Sequence, residues 1–413
     1  MSHIAVIGAG ITGVTTAYAL LEKGYQVTVF DRHRYAAMET SYANGGQLSA
    51  SNAEVWNSWS TVLKGISWLF RNDAPLSLNL KPSWHKYSWL AEFVGNIPNY
   101  RANTIATTRL AIEARRHLLA MAEKAGIEFD VERRGILHIY HNARDFDRAI
   151  EANKLLEEGG LDRKAVSGEQ ITTIEPSLKG DFFGGFFTLS DFTGDIHKFT
   201  QGLMDYCGRM GAQFVNEAEV SDIVASDRGI NIGWAGPLPR PDRNLEYSRF
   251  DAVVICAGVA SRHLAAKVGD RVNVYPVKGY SITIELNDEE NQRSAPWVSL
   301  LDDKAKIVTS RLGANRFRVA GTAEFNGNNR DIRSDRIRPL IDWTRKLFPE
   351  MNTSRIVPWT GLRPMLPDMM PRVGRGKNPR VYYNTGHGHL GWTLSAATAG
   401  IVASHVAVGT PPA

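Results

Sequence analysis

The sequence predicts an α/β protein built on a nucleotide-binding βαβ unit, and three observations predict it. The chain opens on an apolar strand at residues 3–7, a glycine turn with Gly8, Gly10 and Gly13, a helical stretch, and a second strand at 26–30 closed by Asp31. Residues 250–258 form a continuous apolar run ending in Ala257 and Gly258, the pattern of a parallel strand buried on both faces. Near the other end, Gly386, Gly388 and Gly391 lead into a helix of small residues at 395–404.

The opening unit carries the whole context of a dinucleotide fingerprint. Gly8 permits the tight turn, Gly10 lets the backbone approach a pyrophosphate, and Gly13 lets the helix pack on the strand. Ile11 and Thr12 open the helix, whose N-terminus offers free N–H groups and partial positive charge to phosphates. Asp31 stands where an acid accepts a ribose hydroxyl. An adenine dinucleotide is the expected ligand.

Further along, helical spacing and stop signals predict helices at 60–71, 100–126, 145–156, 196–210 and 335–347. Strands are expected at 135–140 and 182–187, a small meander with a Pro-rich connection (236–241) at 213–250, and antiparallel strands at 280–285, 307–309 and 316–320. The three glycine-bearing segments read together as one discontinuous site. A NAD site is usually contiguous, whereas a flavin dinucleotide is longer and must bury its ring, so it recruits distant backbone. The helix near Leu390 can aim its N-terminal N–H groups at the electron-rich edge of a reduced flavin. The alternative for 386–391 is an ordinary glycine loop.

Bulk properties narrow the class. A chain of 413 residues predicts two domains. Hydrophobic content of 43% and charged content of 22% are those of a globular protein. With the nucleotide strand at the start and no apolar run of about 18 residues, neither a signal peptide nor a membrane span is expected. Cys207 and Cys256 lack metal-ligand spacing, which predicts no metal site and a cytoplasmic protein. The net charge of +5 comes from scattered residues, so nucleic acid is not an expected partner, and weak attraction to a membrane surface stays open.

With these residues in place, the chain resembles FAD-dependent D-amino acid dehydrogenases, a branch of the glycine oxidase/D-amino acid oxidase superfamily. The resemblance runs over nearly the whole length, through residues 8–13, 40–47 (Thr-Ser-Tyr-Ala-Asn-Gly-Gly-Gln), 74–76, 193–195 with 197–200, 276–281, 359–365 (Trp-Thr-Gly-Leu-Arg-Pro-Met) and 385–393. It implies a discontinuous Rossmann-like FAD-binding domain (1–80, 190–270 and 355–413) and a substrate domain with a large mixed or antiparallel sheet (81–189 and 271–354). It also implies FAD contacts at Gly8, Gly10, Ile11, Thr12, Gly13, Asp31, Arg32, Ser41, Asn44, Gly46, Gln47, Ala257, Gly258, Gly386, His387, Gly388, His389, Leu390, Gly391, Trp392 and Thr393.

The implied reaction is oxidation of a D-amino acid to a 2-oxo acid and ammonia, with cyclic D-imino acids such as D-proline and hydroxyproline as further candidates. Its first requirement is a fixed carboxylate, which a planar guanidinium grips through two parallel hydrogen bonds. Arg363 falls where the superfamily places its carboxylate-binding arginine; the alternative is a structural arginine in a turn. Tyr280 is the second catalytic candidate, as a phenol donor to that carboxylate or as a pocket wall, although strand tyrosines usually pack. His387 and His389 are read as flavin-loop contacts, and no general base is assigned. Asn52 and Glu54 read as an exposed turn in preference to a pocket lining that favours a polar or cationic substrate. Because Cys207 and Cys256 sit in a helix and a buried strand, FAD is expected to be noncovalent.

The aromatic stretches at 56–59, 68–70 and 84–90 read equally as core or as an interfacial surface. The second reading goes with a quinone-type electron acceptor and a peripheral position on the inner face of the plasma membrane. Two competing functions remain: an oxygen-using glycine- or sarcosine-type oxidase, and a non-catalytic nucleotide-binding subunit.

Overall fold

The computed structural model describes residues 1–68, 75–226, 229–236 and 245–410. The last residues of the expected 60–71 helix, Ala74 and most of the 236–241 connection lie outside them.

The opening strand His3–Ile7 is central in a six-stranded sheet. It lies parallel to Gln26–Phe30 on one side and Ala252–Ile255 on the other, with Val6 between Val29 and Val254. Beyond these lie Gln213–Val215 at one edge and Val381–Thr385 at the other, both parallel, and then the antiparallel edge strand Arg372–Arg375. Alternation gives each face its own core. Ile4, Val6 and Val254 meet the helices Ile11–Glu22, Ile196–Arg209 and Gly391–Gly409, while Ala5, Ile7, Val253 and Ile255 meet a three-stranded antiparallel meander through Ile230, Ile232 and Phe250. Being covered on both faces, the central strands read as unbroken apolar runs.

A nine-stranded mixed sheet forms the other layer. It runs from Ile356–Met365 through Tyr275–Glu285, Arg316–Phe325, Ile307–Leu312 and Ser299–Asp302 to Ile136–Tyr140, Gly184–Thr188 and Lys164–Ser167, and Leu76–Leu78 pairs with Arg316–Phe325. Helix Ser334–Leu347 covers one face, packing Ile337, Leu340 and Trp343 on Ile282, Ile284 and Val319. Two strands within the stretches assigned to the FAD-binding part, Leu76–Leu78 and Ile356–Met365, pair in this sheet.

The small-residue helix is longer than 395–404 and begins at Gly391 itself. By length and mean hydropathy, Gly388–Gly409 matches a membrane span, yet 61% of that window is buried inside the molecule, where Val402, Ala403 and Val406 join the core. The aromatic stretches divide. Trp89 is core and Trp56 stacks on His389, while Trp59 and Trp84 stand 62% and 85% exposed.

Candidate functional site

A cavity of about 1260 Å³ lies between the two sheets. It is bordered by the glycine turn, by 39–47, by 256–260, by 385–393 and by Arg363. Every sequence-predicted site residue lines it except Gly13.

The turn is held by close packing. Gly8 has φ +105°, and a Cβ there would fall 2.6 Å from the Cys256 carbonyl oxygen. A Cβ on Gly13 would overlap the Gly8 carbonyl oxygen, so the helix rests directly on the turn. At Gly10 the nearest atom is Ser41 Oγ at 3.5 Å, leaving a cradle over the helix N-terminus. Ser41 Oγ accepts the Ile11 N–H at 3.0 Å. Asp31 braces the turn, accepting the Ala9 N–H at 2.6 Å and the His33 N–H at 2.8 Å; burial raises its carboxyl despite these bonds. Arg32 pairs with Glu39, which also holds Arg330.

Beside the turn, Gly46 has φ +71° and donates to Asn44 Oδ1 at 2.9 Å. Gln47 Nε2 donates to Ser299 Oγ and the Leu300 carbonyl, leaving its buried Oε1 without a partner among the described residues. Gly258, Gly386 and Gly388 all have positive φ. His387 bonds Thr398 Oγ1 at 3.0 Å and is pushed down to about 3 by burial. His389 donates from Nε2 to the Asn52 carbonyl at 3.3 Å and is pushed down to about 4, chiefly by burial. Both rings are neutral at physiological pH. Leu390 and Trp392 border the cavity while joining core clusters, Trp392 edge-on to Phe129 and Phe199. The indole N–H of Trp392 is buried without a partner among the described residues, and Thr393 Oγ1 accepts the Ser49 N–H at 3.2 Å.

These features fit an adenine dinucleotide that carries a buried polar ring. The Gly10 cradle offers room at a helix N-terminus, and the orphaned Gln47 oxygen and Trp392 N–H require polar partners. Cys256 borders the cavity, but burial pushes its thiol up to about 12 and it donates to Thr16 Oγ1 at 3.6 Å. It is no nucleophile at neutral pH.

Arg363 sits on strand Ile356–Met365 opposite Val277. A Cβ on Gly279 would lie 2.5 Å from the Arg363 guanidinium carbon and from both terminal nitrogens, so the plane lies flat on the glycine. A register shift between Lys278 and Tyr280 bulges the partner strand around Thr322. Thr322 has φ +59°, a strained setting for a β-branched residue, and its carbonyl accepts from Arg363 Nη1 at 3.0 Å. No carboxylate pairs with Arg363 among the described residues, and burial pulls its guanidinium down to about 10. It keeps its charge and faces the cavity without an ion-pair partner among the described residues.

Of the two roles open to Tyr280, phenol donor or pocket wall, the first requires a correction. Alternation puts the residue on the sheet face opposite Gly279, in the cluster beneath helix Ser334–Leu347. It is 1% exposed and its hydroxyl donates to Glu324 at 2.6 Å, so it is not a free donor toward the cavity. The exposed-turn reading of Asn52 and Glu54 is also overturned. Burial alternates over 51–58, and Asn52, Glu54 and Trp56 all line the cavity.

Sequence reasoning missed Asp191. Buried at 1% exposure, it accepts the Ala50 and Ser51 N–H groups at 3.0 Å and pairs with buried Arg115. It fixes the segment that leads to Asn52 and Glu54. Only the run of small polar residues at 49–52, whose backbone donors need an acceptor, hinted at such a residue.

A family model described as FAD dependent oxidoreductase (DAO) matches residues 3–405. The chain is 62% identical over 411 residues to "D-amino acid dehydrogenase 3" of Mesorhizobium japonicum, covering 100% of this chain and 98% of that one. It is 38% identical to a "D-amino acid dehydrogenase" of Dechloromonas aromatica, covering 99% and 98%. Among solved structures, glycine oxidase from Geobacillus kaustophilus superposes with TM-score 0.74 at 19% identity, over 98% of this chain and 95% of that one. L-proline dehydrogenase from P. horikoshii superposes with TM-score 0.76 at 15% identity, over 99% and 94%. The two structures share the fold.

Proposed function

The chain belongs to the FAD-dependent oxidoreductases of the DAO family, among the D-amino acid dehydrogenases, and from that premise we propose how its cavity works. It oxidises D-amino acids to 2-oxo acids and ammonia, with cyclic D-imino acids such as D-proline and hydroxyproline within reach, and passes the electrons to a quinone-type acceptor. The observation that carries this reading is a half-buried, charged Arg363 without an acid partner among the described residues, in the same cavity as the glycine turn.

Noncovalent FAD is held by the turn 8–13, Asp31, Arg32, Ser41, Asn44, Gly46, Gln47, the 257–258 strand end and the 386–393 loop. When bound, it supplies the acceptor for the hydride equivalent that leaves Cα. Arg363 grips the α-carboxylate through its fork, and Gly279 with the Thr322 carbonyl fixes the plane of that fork. His387 and His389 hold the loop as neutral rings too weakly basic to take up a proton, in keeping with the absence of an assigned base. Tyr280 contributes a packed strand behind Arg363.

Helix Trp59–Trp68 supports the membrane reading. Its Thr61, Val62, Lys64 and Gly65 border the cavity, while Trp59 and Leu63 are 62% and 64% exposed. With Trp84 and Leu80 nearby in the chain and also exposed, it offers an apolar face with Lys64 beside it, suited to peripheral contact with the inner leaflet.

The test is the visible spectrum of the purified protein without oxygen, before and after D- and L-amino acids. Bleaching of the flavin band by D-substrates alone is the expected result. Bleaching by N-methyl glycine, with peroxide formed in air, would move the enzyme to the oxidase reading. A flavin untouched by any amine would make it a non-catalytic subunit.

A second expectation concerns the seat of Arg363. Gly279→Ala puts a methyl into the space of a side-chain end, which yields without unfolding the strand. Displacing the fork should raise KM for D-substrates about ten- to hundredfold, with flavin content unchanged. Steady-state kinetics at matched flavin concentration check this.

A further inference from the structure

We propose that Glu54 is the specificity residue of the substrate cavity and accepts a hydrogen bond from a neutral donor, a hydroxyl or an amide, on the substrate side chain. The proposal rests on the D-amino acid oxidation argued above and names the substrate class of that site.

Glu54 lies on the 51–58 segment, whose alternation buries Ala53, Val55 and Asn57 and turns Asn52, Glu54 and Trp56 to the cavity. Both neighbours tie this segment to the reactive end. The Asn52 carbonyl accepts from His389, and Trp56 stacks on His389 with ring centroids 4.6 Å apart. His389 in turn feels the charge of Arg363. A substrate held by its carboxylate at Arg363 shares its cavity with Glu54.

One Glu54 oxygen accepts the Tyr100 hydroxyl at 2.6 Å. No cation pairs with the carboxylate among the described residues: Lys306 is paired with Asp303, and Arg163 stacks 4.6 Å over Phe186. A carboxylate retains lone pairs after one such bond, and Glu54, half-buried, borders the cavity. The second oxygen is thus an acceptor waiting for a donor.

Local charge selects the kind of donor. The cationic groups acting on Glu54 are Lys306 and Arg163, and Asp303 opposes them. Burial raises the Glu54 carboxyl, while the Tyr100 hydrogen bond, Lys306 and Arg163 favour its ionised form; in that form these four charges cancel, so a ligand ammonium would leave the pocket net positive. A hydroxyl or amide satisfies Glu54 without that cost.

Matched D-substrate pairs test this: D-threonine against D-valine, D-homoserine against D-norvaline, and D-lysine as the cationic probe. In the holoenzyme, the hydroxyl member of at least one pair should win by about ten- to hundredfold in kcat/KM, mainly through KM, because the contact is remote from Cα. Glu54→Leu should bring that ratio to within about twofold. Glu54→Gln keeps an acceptor for Tyr100 and loses the charge, so it should lower the ratio by about threefold or more; it decides the matter if the leucine variant loses flavin. Ratios near one in the wild type, ratios unchanged in Glu54→Gln, or a preference for D-lysine overturn the proposal. Failure of every D-amino acid to bleach the flavin is a different result, and it would sink the dehydrogenase reading instead.

Discussion

Arg363→Ala is expected to lower kcat/KM for D-amino acids by about 10²- to 10⁴-fold, because it removes two charge-assisted bonds of roughly 1.5–3 kcal/mol each. Arg363→Lys should recover little of this. An ammonium keeps the charge but cannot present the planar fork, and it would not lie flat on Gly279. The protein itself should survive either change. The guanidinium forms no ion pair among the described residues, and its hydrogen bond goes to the Thr322 carbonyl, so no buried carboxylate is stranded. Rapid-mixing measurement of flavin reduction separates the contributions. The dissociation constant for substrate should rise steeply, and the limiting reduction rate should fall as well, because a loosely held Cα spends less time in a reactive pose. An alanine variant reducing its flavin within threefold of the wild type would place the carboxylate grip elsewhere in the cavity.

The parts of this site that were legible in the sequence are those whose meaning is local. The turn 8–13 announces itself because each glycine answers to a neighbour within one βαβ unit, and the unbroken apolar run at 252–255 follows from burial on both faces. Arg363 was found through its motif, but its seat was not. That seat needs three strands far apart in sequence, with Val277 opposite Arg363 and a bulge at Thr322 against Gly279. No local pattern encodes such a register. The donor role of Tyr280 was misjudged for a related reason. Parity places it opposite Gly279, yet which face is covered depends on where helix Ser334–Leu347 docks. Asn52 and Glu54 looked like surface because polar residues in irregular chain usually are. Here Asp191 pins that chain from inside, through backbone groups that leave no side-chain signature.

Gly13→Ala should empty the protein of its cofactor. A Cβ at this position would overlap the carbonyl oxygen of Gly8, and backbone cannot rotate aside as a side-chain end can. Either helix Ile11–Glu22 lifts away from the sheet or the turn is pushed toward the 256–258 strand end, where a Cβ on Gly8 itself would already crowd Cys256. Both movements disturb the Gly10 cradle and the Ser41-to-Ile11 bond. The packing cost alone is about 1–3 kcal/mol. The cofactor cost is larger, because the N–H groups proposed to bind phosphate move as one with the helix. The purified variant should carry less than about a tenth of the wild-type flavin, on the view that a shift worth 1.4 kcal/mol already weakens binding tenfold. It should also melt several degrees lower. Gly400→Ala is the matched control. It lies inside helix Gly391–Gly409 with nothing within 4 Å of the new Cβ, so it should hold full flavin and gain up to about 1 kcal/mol of stability. If Gly13→Ala instead binds flavin as the control does, the helix must slide on the turn without penalty, and the close packing read from Gly8 and Gly13 would not be what positions the dinucleotide.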